Sequence, residues 1–324
     1  MNEQYVYIGN TSKDGINRYL FTGERLKLIS TITNTERCTY LAQNKNNLYA
    51  VQETSCGNIL AYKKTSEGLT YIGKKSSLGS GPCHIEISNK KKMLFISNYM
   101  DGYFTVYKLK EHGEVENIIY NSVNNKKYSH LHCAKVFNND NNLITVDLGA
   151  DILNLYEIQE DSLKNIFSLQ FPRGIEPRHI AIYNENIFLL TEKSCMLYVL
   201  KHIEGKLEIL YKTSILPNNH KKQENDTGAG IKVSSDGRYI YTSLRGHNSI
   251  SVFKYENKKV ELVQNILSYG DTPRDLEIDK TQKYLFVANQ DSNEIAIFSR
   301  NINNGKLDFF NKQKSPLPTC VLSE

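Results

Sequence analysis

Phe95-Ile96-Ser97-Asn98 is a β-branched and aromatic strand that ends on a polar residue, and Tyr107 follows nine residues later. The same phrase recurs along the chain. Val6-Tyr7-Ile8-Gly9-Asn10 leads to Tyr19, Leu48-Tyr49-Ala50-Val51-Gln52-Glu53 to Tyr62, and Ile144-Thr145-Val146-Asp147 to Tyr156. Tyr241-Thr242-Ser243-Leu244 leads to Phe253 and Phe286-Val287-Ala288-Asn289 to Phe298, each polar or terminal position preceding its aromatic by nine residues. One copy differs: Phe188-Leu189-Leu190-Thr191-Glu192 reaches Leu200 after eight. The anchors 10, 53, 98, 147, 192, 244 and 289 are spaced 43, 45, 49, 45, 52 and 45 residues apart. Short strands and turns repeating in the forties predict four-stranded propeller blades, since leucine-rich or ankyrin repeats are shorter and would show a helical 3.6-residue apolar period that is absent here. The longest interval holds a polar insertion from Asn218 to Asp226, read as a loop.

The first strand of each blade is also legible, as Pro82-Cys83-His84-Ile85, Pro177-Arg178-His179-Ile180 and Pro273-Arg274-Asp275-Leu276. Pro318-Thr319-Cys320-Val321 repeats it at the C-terminal end with no second strand after it, whereas the N-terminal end starts with a second strand. The two ends complement each other. The expected fold is therefore all-β, a seven-bladed β-propeller of four-stranded blades closed by the C-terminal strand pairing with the N-terminal strands. It is expected as one domain over 1–324, with blade 7 split between 1–33 and 315–324, and closure removes exposed strand edges.

Composition narrows the function classes. The 324 residues carry 40 basic and 35 acidic side chains, interspersed, so Asn- and Lys-rich loops do not amount to a nucleic-acid-binding surface. Lys90-Lys91-Lys92 falls where a solvated hairpin turn is expected. No stretch approaches the ~20 apolar residues that span a bilayer, and Met1-Asn2-Glu3-Gln4 lacks the features of a signal peptide. The six cysteines have no CxxC spacing, which fits buried reduced thiols. Together these point to a cytoplasmic protein with neither nucleic-acid nor membrane partners.

In a propeller, the start of each first strand and the end of each second strand meet at one mouth of the central channel. His84, His130, His132, Arg178, His179, Arg274 and Asp275 occupy first-strand starts. Glu53, Asn98, Asp147, Glu192, Arg245, His247, Asn289 and Gln290 occupy second-strand ends. Two readings are open for Arg178 and Glu192: an inter-blade ion-pair staple, or part of an anion site, which three arginines favour. Asp147 and Asn98 are expected to cap their turns. His130 and His132 alternate on one face and could present two metal ligands, but no carboxylate or cysteine spacing completes a set and the arginines would repel a cation. No cofactor or metal is expected. A nucleophile elbow and a phosphate-binding glycine loop are both missing.

These stretches carry a resemblance: Gly81-Pro82-Cys83-His84-Ile85, His130-Leu131-His132, Asp147-Leu148-Gly149-Ala150-Asp151, Glu176-Pro177-Arg178-His179, Ser234-Ser235-Asp236-Gly237-Arg238, Arg245-Gly246-His247-Asn248, Thr272-Pro273-Arg274-Asp275 and Val287-Ala288-Asn289-Gln290. In order and spacing the chain resembles the lactonase family of seven-bladed propellers, which includes the propeller-type 6-phosphogluconolactonases and the fungal carboxymuconate cyclase. The resemblance implies a site of one histidine, two arginines and a glutamate, falling on His132, Arg178, Glu192 and Arg245. His84, His130, His179, His247, Arg274 and Asn289 complete the expected substrate-binding set. Two departures are Leu244, where the family has asparagine, and Cys133, where it has a small residue. The implied activity is metal-independent hydrolysis of a small anionic sugar lactone, 6-phosphogluconolactone being the expected substrate, by a monomer or weak homo-oligomer. His132 or Glu192 would supply the base, and the arginines would stabilise the oxyanion or grip a phosphate. The alternatives are a muconate-type lactone-forming cyclase or isomerase, and a non-catalytic propeller binding a partner on its rim, against which the absence of tryptophan and WD dipeptides counts.

Overall fold

Residues 3–33, 35–122 and 128–324 are described in the structure, a computed structural model. Among them every helix or strand assigned is a strand, 28 in all. The strands form seven four-stranded antiparallel sheets. Blades 1 to 6 span 38–76, 82–122, 131–170, 177–214, 227–267 and 273–314. Blade 7 takes three strands from the N-terminal end, Gln4–Asn10, Ile16–Phe21 and Leu26–Ile32, and its first strand, Pro318–Ser323, from the other end. Tyr7 pairs with Leu322 and Ile8 with Val321, so the predicted closure is made. Among the described residues no helix is long and apolar enough to cross a membrane.

Two compact units are formed. One contains blades 1 to 3; the other contains blades 5 to 7 and blade 4 from Arg178 onward, except its 203–207 turn. Within each unit the reason for the repeat is visible in burial. Second strands such as Met93–Asn98 are buried at every residue, because both faces pack on neighbouring sheets. Fourth strands such as Leu307–Lys314 bury only their first residue and end in Asn-Lys-Gln-Lys, a charged edge that discourages further pairing. The recurrent aromatics keep one register: Tyr19 faces Val6, Tyr62 faces Leu48, Tyr107 faces Leu94 and Phe298 faces Leu285. Tyr19 and Tyr107 reach from their blades to donate to the Lys314 and Ser76 carbonyls at 3.2 and 2.6 Å, tying each blade to the preceding one.

The turn after the second strand shifts part of the predicted alignment. Asp147 pairs with Ile152, Leu244 with Ser249 and Asn289 with Glu294, so each of these turns has four residues. In blade 4 the second strand ends at Thr191, not Glu192, which is why Leu200 follows the chosen anchor by one residue too few. In blade 1 it ends at Gln52, and one extra turn residue before Asn58 disguised the offset. Glu53 and Glu192 are thus the first residues of turns, equivalent to Tyr99, Leu148 and Gln290, and Arg245 holds the corresponding place as the last residue of its strand.

In blades 2 to 6 the fourth residue of this turn is left-handed: Gly102, Asp151, Cys195, Asn248 and Asn293 have φ between 52° and 70°. Three of their side chains reach the start of the next blade. Asp151 Oδ1 accepts from the Glu176 N–H, Asn248 Oδ1 from Thr272 and Asn293 Oδ1 from Leu317, all within 2.9–3.0 Å. Glu176, Thr272 and Leu317 are left-handed as well and each precedes the proline that opens a first strand. A β-bulge follows. Cys38 and Tyr40, Pro82 and His84, Leu131 and Cys133, and Pro273 and Asp275 face consecutive partners, which leaves Thr39, Cys83, His132 and Arg274 as extra residues. Arg178 holds the same second position in Pro177–Tyr183.

Val321 is 1% exposed and packs in the apolar cluster of Val6, Ile8 and Phe286 that seals blade 7. Replacing it by aspartate buries an unpaired carboxylate there. Val321→Asp is expected to lose on the order of 3 kcal/mol, measured by urea unfolding, whereas an unchanged midpoint would mean that the C-terminal strand does not hold the blade closed.

Candidate functional site

The unit containing blades 4 to 7 brings Arg178, Glu192 and Arg245 together. Arg178 lies at the first-strand position re-aimed by a bulge in other blades, a common device for directing a side chain out of the regular alternation. It is 2% exposed, donates from Nε to Glu192 Oε2 at 2.8 Å and from Nη1 to the Ala229 carbonyl at 2.5 Å. Arg245, the last residue of strand Tyr239–Arg245, reaches the same Glu192 oxygen from Nη2 at 3.0 Å and the Gly228 carbonyl at 3.3 Å. The Arg178–Glu192 pair lies within blade 4, which removes the inter-blade form of the staple reading for it; Arg245–Glu192 is the pair that crosses between blades. Gly228 makes the approach possible, since a Cβ there would lie 2.4 Å from the Thr191 carbonyl.

Burial alone would raise the Glu192 pKa, but the two guanidiniums outweigh it and hold the carboxyl below the ordinary carboxylate range. Arg245 is pushed down to about 10, first by burial and then by Arg178, with Glu192 opposing and Arg274 adding to the shift. It stays charged at neutrality. The cluster thus holds three guanidiniums against one carboxylate. Arg245 Nε is buried with no protein partner, a donor left over after Glu192 is satisfied. Arg274 sits on its own bulge, with Nη1 3.3 Å from Gln290 Oε1. An excess of directed donors around an ionised carboxylate is suited to gripping an anion and orienting a water.

His247 lies two residues beyond Arg245, and its N–H donates to Asp226 Oδ1 at 2.9 Å. His179 follows Arg178 and is buried at 6% exposure. Asn289 is fully buried and donates to the Ser268 carbonyl at 3.0 Å, matching Asn98, whose amide donates to the Ser77 carbonyl at 3.2 Å. Both carboxamides clamp one blade to the preceding one, so Asn289 is placed in blade packing and has no surface for a substrate.

The remaining predicted residues lie in the other unit. His132 is the bulged residue of Leu131–Phe137 and is 6% exposed. Its ring stands edge-on to Tyr99, 5.7 Å between centroids. His130 stacks on the same tyrosine at 4.7 Å, and its Nδ1 lies 2.8 Å from the Tyr99 carbonyl. Asp147 caps its turn as expected, accepting from Ala150, and also takes the His130 N–H and the Ser129 hydroxyl. His84 is one residue past its bulge. It is fully buried, 4.3 Å from the Tyr40 ring and 3.5 Å from Cys133 Sγ, and thus fills the space between blades instead of facing a substrate.

Two features escaped the sequence reading. Tyr99 is the turn residue equivalent to Glu192 and Arg245, and the signal was available: it immediately follows Asn98. The 218–226 loop carries His220 and a buried Asp226 to the side of His247, a placement that no local pattern encodes.

Comparisons with known proteins agree with this architecture. The family described as "Lactonase, 7-bladed beta-propeller" matches residues 5–323. A 6-phosphogluconolactonase of Bacillus subtilis is 28% identical across 99% of this chain and 98% of its own length. One of Formosa agariphila is 29% identical across 87% and 86%. A crystal structure of a Lactobacillus plantarum protein superposes with a TM-score of 0.93 at 24% identity, covering all of both chains, which shows the shared fold.

Because the folded-state pKa of Glu192 is depressed, its stabilising contribution is complete above the unfolded pKa and is lost as pH falls through the folded value. Glu192→Gln is expected to be less stable than wild type at neutrality, with the gap narrowing in strong acid, as read from urea midpoints across pH. A gap constant at every pH would show that the two arginines do not act on an ionised carboxylate.

Proposed function

Since the chain belongs to the lactonase family of seven-bladed β-propellers, we propose that it hydrolyses a sugar lactone, 6-phosphogluconolactone, to its open-chain acid. The observation that carries the reading is the Arg178–Glu192–Arg245 cluster with the spare Arg245 Nε donor. Two relatives that match most of the chain are named for this reaction.

In this reading a general base takes a proton from water as it attacks the lactone carbonyl carbon, and an imidazole such as that of His132 suits this task near neutrality. The carbonyl electrons become an oxyanion that accepts from Arg245 Nε–H and the facing guanidinium of Arg178. Collapse breaks the bond to the ring oxygen, which takes back the proton. Glu192, kept ionised by its two arginines, is a weak base, so its part is to hold those guanidiniums and orient the water.

The test is hydrolysis of freshly generated 6-phosphogluconolactone against its spontaneous background, with and without a chelator. Acceleration should survive the chelator. Arg178→Ala, Arg245→Ala, Glu192→Gln and His132→Gln should each lower kcat by roughly a hundredfold or more, as for loss of an oxyanion donor or a general base. Absence of acceleration, with turnover of an unsaturated dicarboxylate instead, would replace the hydrolase by a cyclase using the same arginines. Full activity in both arginine variants would remove these residues from the mechanism.

A further inference from the structure

Asp226 closes the insert that separates blades 4 and 5. It is 1% exposed, and its carboxylate is completely engaged. Oδ2 accepts the Gln223 N–H at 2.7 Å and meets His220 Nε2 at 2.6 Å, while Oδ1 accepts the His247 N–H. Burial opposes the charge, but these hydrogen bonds and His220 hold the carboxyl below its ordinary range. The insert is also fastened to the turn that carries Glu192. Cys195 Sγ lies 3.2 Å from the Asp226 carbonyl and 3.6 Å from that of Glu192, and the Gly228 N–H donates to Glu192 at 2.9 Å.

An imidazole whose Nε2 faces a carboxylate carries its proton there, so Nδ1 is the nitrogen that His220 offers outward. Its ring stands 4.5 Å from that of His247, edge to face. His247 Nδ1 is buried and has no protein partner. Between His247 and Arg245, Gly246 has a φ of +83°, and a Cβ on it would lie 2.6 Å from the Asn225 carbonyl. The turn that follows Arg245 is thus pressed against the insert, and His247 of that turn lies two residues along the chain from Arg245. Cys195, on the turn fastened to the insert, feels Asp226 and the two cations Lys222 and Arg245. A cation does not fit here: both Asp226 oxygens are taken, and among the described residues no three His, Cys, Asp or Glu side chains converge as metal ligands.

We propose that His220, oriented by Asp226, and His247 form a subsite for the phosphate group of the substrate, beside the Arg178–Arg245 cluster that takes the lactone. The proposal rests on the lactonase reading for its substrate. The unbonded ring nitrogens supply two donors when protonated, and a phosphate dianion supplies the acceptors they lack.

Calorimetric binding of inorganic phosphate to the full chain, alongside kcat/KM for 6-phosphogluconolactone and for the unphosphorylated lactone, tests it. Wild type should bind phosphate, and His220→Gln and His247→Gln should each weaken that binding roughly tenfold, the loss of about one hydrogen bond to a charged group. The preference for the phosphorylated lactone should fall by the same factor. His220→Arg, which keeps a cationic donor, should retain phosphate binding, separating loss of the subsite from loss of fold. Phosphate binding equal in wild type and both glutamine variants, or a lactone preference that does not move, would overturn the subsite. If neither lactone is hydrolysed, the lactonase reading fails while the phosphate titration still judges the subsite on its own.

Discussion

One hydrogen bond, repeated between blades, governs where the site residues stand. A left-handed turn residue, Asp151, Asn248 or Asn293, accepts the N–H of Glu176, Thr272 or Leu317, and that residue is left-handed in turn. Non-glycine residues in this region cost on the order of 1 kcal/mol or more each, and a β-branched residue such as Thr272 is disfavoured most. The side-chain acceptor offsets the cost by satisfying an N–H that would otherwise lack a partner. The proline that follows has no N–H to satisfy and suits the first position of a strand. The bulge after it then displaces a single residue from the two-faced alternation. Arg274 occupies that displaced position, and Arg178 its counterpart.

At the arginine cluster, stability and chemistry pull in opposite directions. Burying ion pairs has a desolvation cost that Coulomb attraction only partly returns. Two guanidiniums share one carboxylate, and burial first, then Arg178, lowers the Arg245 pKa. A protein stabilised for its own sake would replace such a group by apolar residues. Arg245 Nε is the donor this arrangement leaves without a protein partner.

Much of this was legible. The aromatic nine residues past each second strand reports a hairpin register, because a four-residue turn sets which residues face each other, and Val6–Tyr19 and Leu285–Phe298 obey it. The orphan first strand at Pro318 declared the closure, since a lone edge strand must find a partner. The phase of two anchors was not legible. Thr191-Glu192 and Gln52-Glu53 each offer two polar residues at a strand end, and only the ladder decides which one is paired. His84 looked equivalent to His132 for the same reason; the bulge moves it one place on and turns its ring into blade packing.

By itself the sequence determined the number of blades, their order, the split seventh blade and the residue types that reach the site, because each depends on periodicity and hairpin geometry encoded within a few dozen residues. The tertiary structure alone decided which polar residues became clamps and which remained available. Asn289 and Arg245 are both polar-end candidates by pattern, yet the amide N–H of Asn289 goes to a neighbouring carbonyl while Arg245 keeps an unpaired Nε donor. The insert shows the same division: His220 and Asp226 follow no repeat, and their meeting with His247 comes from a fold that packs separate turns together. Local spacing can specify a strand and its register; a partner for a buried polar atom is settled only when distant segments compete for it.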